Sequence, residues 1–232
     1  YYPYNDLAAQ VIGFVGADGG MLGIERKYDK YLTGTPGHYI TARDAWGKSM
    51  PTKYETYIEA QDGYQVESTL DLKIQSALET QLEKTYYESN STNRVTGIVM
   101  DVNTGGVLGM ATYPSFDLNN PYELSDELLT PFSTYMSDVN QARVRENDNY
   151  ENFAEMIYNF TQIKENYEAG SDEYQNAYME LLYTLWRNKA VSELYEPGST
   201  FKIITTSMAF EENIITPNTV FTCYDPYSVE GT

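Results

Sequence analysis

The sequence predicts a mixed α+β protein, and three observations carry that reading. Residues 1–63 are rich in glycine and turn formers around short apolar pieces such as Val11-Ile12-Gly13-Phe14-Val15, the pattern of an irregular β-containing module. Two β-rich runs, Val95 to Val102 and Val107 to Thr112, flank Asn103-Thr104-Gly105-Gly106 and predict a hairpin. Apolar residues recur every three or four positions in further stretches, so helices accompany the strands.

After the first module, Val66 to Leu70 is a short β-prone piece. Asp71 then offers an N-cap to a helix in which Ile74, Leu78 and Leu82 recur every four residues, running to about Tyr87. Ser89 to Asn93 is a polar break before the hairpin. Residues 117–190 change character: they are rich in Glu, Asp, Asn and Tyr, with leucine and aromatic spacings of three and four in Met179 to Trp186. One or two acidic surface helices with loops are expected there. Pro197-Gly198 punctuates the chain, and Ser199 is expected to open an amphipathic helix through about Glu211, with Phe201, Ile204 and Met208 on one side. Residues 216–232 read as a loop. The abrupt Tyr1-Tyr2-Pro3 start and the uncapped Val229-Glu230-Gly231-Thr232 end are expected of a fragment.

Composition narrows the function. An apolar content of 41% in 232 residues suffices for a buried core. Fifteen basic against 34 acidic residues leave a charge of −19 and a pI near 4.3, which argues against nucleic acid or an anionic membrane surface as a partner. No apolar stretch approaches the roughly 20 residues that cross a bilayer, and no signal peptide is evident, so this chain is expected to be soluble. The single cysteine, Cys223, excludes an internal disulfide framework and a multi-cysteine metal site. His38 follows Gly34-Thr35-Pro36-Gly37 and reads as a solvated turn residue; a Ser-His-Asp triad would have to use it. The 23 tyrosines suggest half-wet contact faces, without an aromatic box.

Several patterns resemble sites only by letters. Gly47-Lys48-Ser49 looks like the tail of a phosphate-binding loop, but the glycine needed five positions earlier is Ala42. Gly13, Gly16, Gly19 and Gly20 lack the spacing and the strand-loop-helix setting of a dinucleotide loop, and turns explain them. With 34 carboxylates, no glycosidase-like pair stands out from a solvated acidic surface.

Ser199-Thr200-Phe201-Lys202 is different. A serine three residues before a lysine at a helix start sets both side chains on one face, one turn apart. Serine is a poor nucleophile until a base takes its proton, and a lysine serves only if burial and neighbouring donors or cations depress it from about 10.4 toward neutrality. A serine near a helix N-terminus also directs its own backbone N–H at a developing oxyanion. The chemistry indicated is acyl transfer. The bare pattern recurs about once per 200 to 250 residues at average usage, and an ordinary helix with a capping serine and a solvated lysine would also explain it.

The neighbours decide between the two. Trp186-Arg187-Asn188-Lys189-Ala190-Val191-Ser192 followed by Tyr195-Glu196-Pro197-Gly198-Ser199-Thr200-Phe201-Lys202 closely resembles the active-serine segment of class B penicillin-binding proteins. Gly97-Ile98-Val99-Met100-Asp101 through Gly105 to Pro114-Ser115-Phe116-Asp117 resembles the first hairpin of their transpeptidase domain, and Thr69-Leu70-Asp71 with Ile74-Gln75 the strand and helix leading into it. Tyr2-Pro3, Ala8-Ala9, Gly13 and Gly23-Ile24-Glu25 resemble the end of their non-catalytic pedestal domain.

The resemblance implies residues 1–63 as the end of a pedestal or dimerisation domain and residues 64–232 as the first part of a transpeptidase domain, with an acidic helical insertion at about 118–185. It implies Ser199 as acylation nucleophile and Lys202 as its base, with no metal or cofactor. The implied substrates are peptidoglycan stem peptides, the implied inhibitors β-lactams, and the implied partners cell-division or sporulation proteins. The implied location is outside the bacterial cell membrane, anchored by an N-terminal helix that this chain lacks. The family completes its site with a serine-x-asparagine motif and a lysine-threonine/serine-glycine strand after the nucleophile, and neither occurs between Lys202 and Thr232. Ser91-Thr92-Asn93 fits the first only by letters, in a polar turn before the nucleophile. This chain alone is therefore expected to turn over little, and a second chain or a dimer is expected to cover the apolar face of the Ser199 helix. A class D β-lactamase or β-lactam sensor, and a non-catalytic cell-wall scaffold, are the alternatives.

Overall fold

The structure, a computed structural model, describes residues 1–40, 56–126, 128–129 and 153–222. Gly47-Lys48-Ser49 and Cys223 lie outside the described residues. The chain divides into two compact units, Tyr1–Glu193 and Leu194–Thr232.

In the first unit, helix α1 (Ala9–Ile12) stops at Gly13, whose φ of 76° disfavours any side chain and whose added Cβ would sit 2.0 Å from the Leu22 carbonyl oxygen. The chain can then double back through β1 (Val15–Gly16) and β2 (Gly19–Gly20), paired Val15↔Gly20 and Gly16↔Gly19. These glycines serve a turn, as their spacing suggests. Phe14 is buried and meets Phe116, Tyr122 and Trp186 edge to face, with ring centroids 6.1, 5.7 and 5.0 Å away. Helix α2 (Gly23–Leu32) and the antiparallel pair β3 (His38–Ile40) and β4 (Thr56–Ile58) follow. His38 is exposed, as expected, but opens β3 opposite Ile58 rather than sitting in the preceding turn.

Helix α3 (Leu72–Glu88) begins where the Asp71 carboxylate accepts from the Lys73 and Ile74 N–H groups at 2.9 and 3.0 Å, a cap worth about 1 kcal/mol. The expected hairpin forms from β5 (Val95–Met100) and β6 (Val107–Tyr113), antiparallel from Val95↔Tyr113, with an irregularity at Val99/Met100. Gly97 lets α3 lie close on the sheet, since a Cβ there would come 2.9 Å from Leu78 Cδ1. Residues 66–70 form no strand, contrary to expectation. The far edge of β6 is capped instead by the start of α3: the Asp71 N–H donates to Leu108 O at 2.8 Å. The buried Gln75 amide accepts from Met110 N–H at 2.8 Å and donates to Met110 O at 2.9 Å. A side-chain amide thus satisfies backbone groups that a third strand would otherwise take.

Helices α4 (Phe153–Asn166) and α5 (Asp172–Trp186) differ from the acidic surface helices expected of this region. Their acids Glu155, Asp172, Glu173 and Glu180 are exposed, but their other faces are the deepest part of the unit. Phe153, Ile157 and Phe160 on α4 and Leu181, Leu182 and Leu185 on α5 are each at most 2% exposed, in one cluster with Phe14, Tyr86, Phe116 and Leu118. At about 1.5 to 3 kcal/mol for each buried side chain, these two stripes are a principal source of the unit's stability.

The second unit carries Ser199. The short helix α6 (Lys189–Ser192) ends the first unit, and in the second a 3₁₀ turn, Gly198–Phe201, precedes helix α7 (Lys202–Glu211). Ser199 was expected to open the α-helix and lies instead in this tighter turn. The Thr200 N–H bonds back only three residues to Pro197 O at 3.0 Å, and Gly198 takes φ 51°. The helix closes with Asn213 at φ 56°, Asn213 N–H on Phe210 O at 3.0 Å and Ile214 N–H on Ala209 O at 2.9 Å, a paired C-terminal cap. Phe201, Ile204 and Met208 are exposed.

Candidate active site

Residues 186–193, upstream of the serine, are held largely by local contacts. Helix α5 ends at Trp186, whose indole N–H donates to Pro121 O at 2.8 Å. Arg187 is extended, and Asn188 caps α6 by accepting from the Ala190 N–H at 3.1 Å. The Lys189 N–H donates to Thr112 Oγ1 on β6 at 3.3 Å. Arg94, just before β5, has a side chain only 1% exposed; it pairs with Glu193 Oε1 and donates to Arg187 O at 2.8 Å. Lys189 Nζ takes the other Glu193 oxygen at 2.5 Å. Burial, with the nearby Arg94 charge second, holds the Lys189 ammonium below its ordinary range. Sequence reasoning missed this ion network. Only its Lys189–Glu193 arm, four residues apart on a helix, left a signal that could have been read.

Ser199 lies in the 3₁₀ turn and Lys202 begins α7 three residues later. Three residues are about one helical turn, so the backbone sets Ser199 one turn before Lys202. Both are exposed, and among the described residues neither side chain makes a hydrogen bond. Ser91, of the look-alike Ser91-Thr92-Asn93, spends its hydroxyl locally, donating to Asn93 O at 2.7 Å in the turn after α3. A cavity of about 850 Å³ in the first unit opens between Tyr4–Leu7, α3 and residues 111–117. It is rimmed by carboxylates, among them Glu79, whose carboxyl burial pushes up while the Ala8 N–H and the Gln75 amide, both at 2.7 Å, pull it down. No group of three or more potential metal ligands occurs among the described residues.

Comparison with known proteins places this geometry. Stage V sporulation protein D of Bacillus subtilis is 28% identical over 213 residues, covering 91% of this chain and 24% of that protein. The peptidoglycan D,D-transpeptidase FtsI of Escherichia coli is 24% identical over 232 residues, covering 100% of this chain and 29% of that protein. The chain thus spans about a quarter of the length of these relatives. The crystal structure of a peptidoglycan synthetase from Bifidobacterium adolescentis shares the fold at a TM-score of 0.60 and 22% identity, covering 100% of this chain and 32% of that one. Residues 95–231, from the hairpin through Ser199 and Lys202, match the penicillin binding protein transpeptidase domain, and this chain therefore belongs to that family.

Proposed function

We propose that the protein of which this chain is a part is a peptidoglycan D,D-transpeptidase with Ser199 as nucleophile and Lys202 as base. The observation that carries the reading is the placement of Ser199 one turn before Lys202 at the start of α7, inside the family-matched segment. Ser199 Oγ attacks the penultimate D-alanyl carbonyl of a stem peptide while its proton passes to Lys202 Nζ, and the Ser199 N–H faces the oxyanion. The tetrahedral intermediate collapses with cleavage of the peptide C–N bond, and D-alanine leaves with the proton from Lys202. The amine of a second stem peptide then attacks the acyl-serine, gives its proton to Lys202, and Ser199 leaves reprotonated. A β-lactam acylates the same oxygen by opening its ring. No metal or cofactor enters this scheme.

In this reading residues 1–63 end a pedestal domain, residues 64–232 begin the transpeptidase domain, and residues 118–185 are an insertion that adds α4 and α5 to the core. The burial that a lysine base needs comes from later parts of the domain, since residues 194–222 leave Lys202 exposed. The full protein works outside the bacterial cell membrane, anchored by an N-terminal helix, with division or sporulation proteins as partners. No described helix of this chain is long and apolar enough to cross a membrane.

Labelling of the full-length protein with fluorescent penicillin tests the assignment. Wild type should take one label per chain and Ser199→Ala none, with unchanged circular dichroism. An alanine variant labelled like wild type would sink it.

A further inference from the structure

We propose that the cavity of about 850 Å³ in the first unit is a binding site for an alkylammonium group, the charged end of a free amine or of a lysine side chain. All its lining residues belong to that unit, and the proposal does not rest on the role of Ser199. Five carboxylates line it, those of Asp6, Glu79, Glu83, Asp117 and Glu123, and no lysine or arginine does. Among the described residues none of the five is in an ion pair. They arrive from four stretches of chain, residues 4–7, α3, residues 111–117 and residues 120–128, rather than from the solvated face of one acidic helix. A concave wall of one sign focuses the potential inside it and draws in the opposite charge.

Rings supply the other half of the site. Tyr4 and Tyr87 are exposed, and Tyr87 meets Tyr113 and the buried Tyr86 edge to face with centroids 6.0 and 5.5 Å apart. Tyr113 Oη lies 3.1 Å from Tyr87 Oη and 3.3 Å from Glu83 Oε1, which sets a carboxylate beside an aromatic wall. Tyrosine faces attract an organic cation and cover its apolar stem, but do little for a strongly hydrated metal ion. Carboxylates converging from several directions suit the three donors of an ammonium, which radiate from one atom, better than the planar fork of a guanidinium. The walls are tied together by hydrogen bonds: Leu118 N–H donates to Asn5 O at 3.0 Å, Ser115 Oγ to Asp6 O at 3.3 Å and Ala8 N–H to Glu79 Oε1 at 2.7 Å. A largely pre-formed cavity with a few polar groups among rings is the usual form of a small-ligand site. Burial raises the Glu79 carboxyl and the Asp6 charge adds to that rise, so a cation beside the two acids relieves their repulsion.

Isothermal titration of the 232-residue chain with cadaverine tests the site. Cadaverine should saturate one site with a midpoint below about 1 mM at low ionic strength and bind more weakly as salt rises. The neutral diol of the same length should not bind, and magnesium chloride should displace cadaverine no better than sodium chloride at the same ionic strength. Asp6→Asn with Glu83→Gln should weaken binding about 10-fold or more. Glu155→Gln with Glu173→Gln, the same charge change on exposed positions of α4 and α5, should stay within about twofold of wild type. Tyr87→Leu keeps every carboxylate and should cost about 3- to 10-fold, which decides the matter if the double cavity variant does not fold. Nα-acetyl-lysine methylamide, titrated in parallel, separates the sources: tighter binding than cadaverine marks a lysine of a peptide, weaker binding a free diamine or polyamine. Saturation by neither amine, a diol that binds as tightly as cadaverine, displacement by magnesium beyond that by sodium, or wild-type affinity in the cavity variants overturns the site.

Discussion

Leu182→Ala separates a core helix from a surface addition. Leu182 is fully buried on α5, among Phe14, Ile157, Phe160 and Leu185 of one cluster. The substitution removes three carbons, and at about 0.8 kcal/mol for each the transfer loss is about 2.4 kcal/mol. The hole left behind, bordered by helices that cannot fully collapse, raises the total to about 3 to 4 kcal/mol. Glu180→Ala on the exposed face of the same helix should change stability by less than about 0.5 kcal/mol. Urea unfolding of the 232-residue chain, followed by tryptophan fluorescence, reads the difference, because Trp186 is buried against Phe14 and Tyr122 at 5.0 and 5.3 Å. With a slope of about 2 to 3 kcal/mol/M, Leu182→Ala should lower the midpoint by about 1 to 2 M and Glu180→Ala by almost nothing. A Leu182→Ala midpoint within about 0.3 M of wild type would refute the claim that these helices hold the unit together.

Lys202→Ala should slow penicillin acylation of the full-length protein by about 10²- to 10⁴-fold, since the serine proton then lacks an acceptor one turn away; a normal rate would remove Lys202 as base. Gly13→Ala should cost about 2 kcal/mol or more, because φ 76° and a contact 2.0 Å from the Leu22 carbonyl oxygen both oppose a side chain. A thermal midpoint equal to wild type would show that this turn can relax. For Glu79, burial raises the folded carboxyl above its ordinary value of 4.5, so folding favours the protonated form. Its contribution is fully present below 4.5 and is lost as pH rises through the folded value, so wild type should lose stability relative to Glu79→Gln over that interval. Paired pH series of thermal midpoints check the sign, and a gap that stays flat or widens the other way would contradict it.

Local chemistry made part of this protein readable from its residues. The β5–β6 hairpin follows from alternating β-prone residues around Asn103-Thr104-Gly105-Gly106, and the start of α3 from Asp71 beside an apolar four-residue repeat. The Ser199–Lys202 spacing and its flanking residues carried the resemblance to the family that residues 95–231 match. The helix start and the serine–lysine spacing reach no more than about four residues along the chain, and the hairpin joins neighbouring strands through one short turn, so a linear pattern can record them.

Other features depended on partners distant in sequence. The acidic composition of residues 117–190 suggested a surface, yet the inner faces of α4 and α5 are buried against Phe14 and Phe116. Gln75 closes the edge of β6 from 35 residues away, and Arg94 reaches Glu193 across 99. By itself the sequence determined the hairpin, the capped helix and the serine–lysine register, since backbone preference and nearest-turn contacts are local. Which helix faces were buried, which edge was capped and where the cations found carboxylates was decided only by the tertiary structure, because burial and ion pairing are set by the elements that pack together, at separations no local pattern encodes.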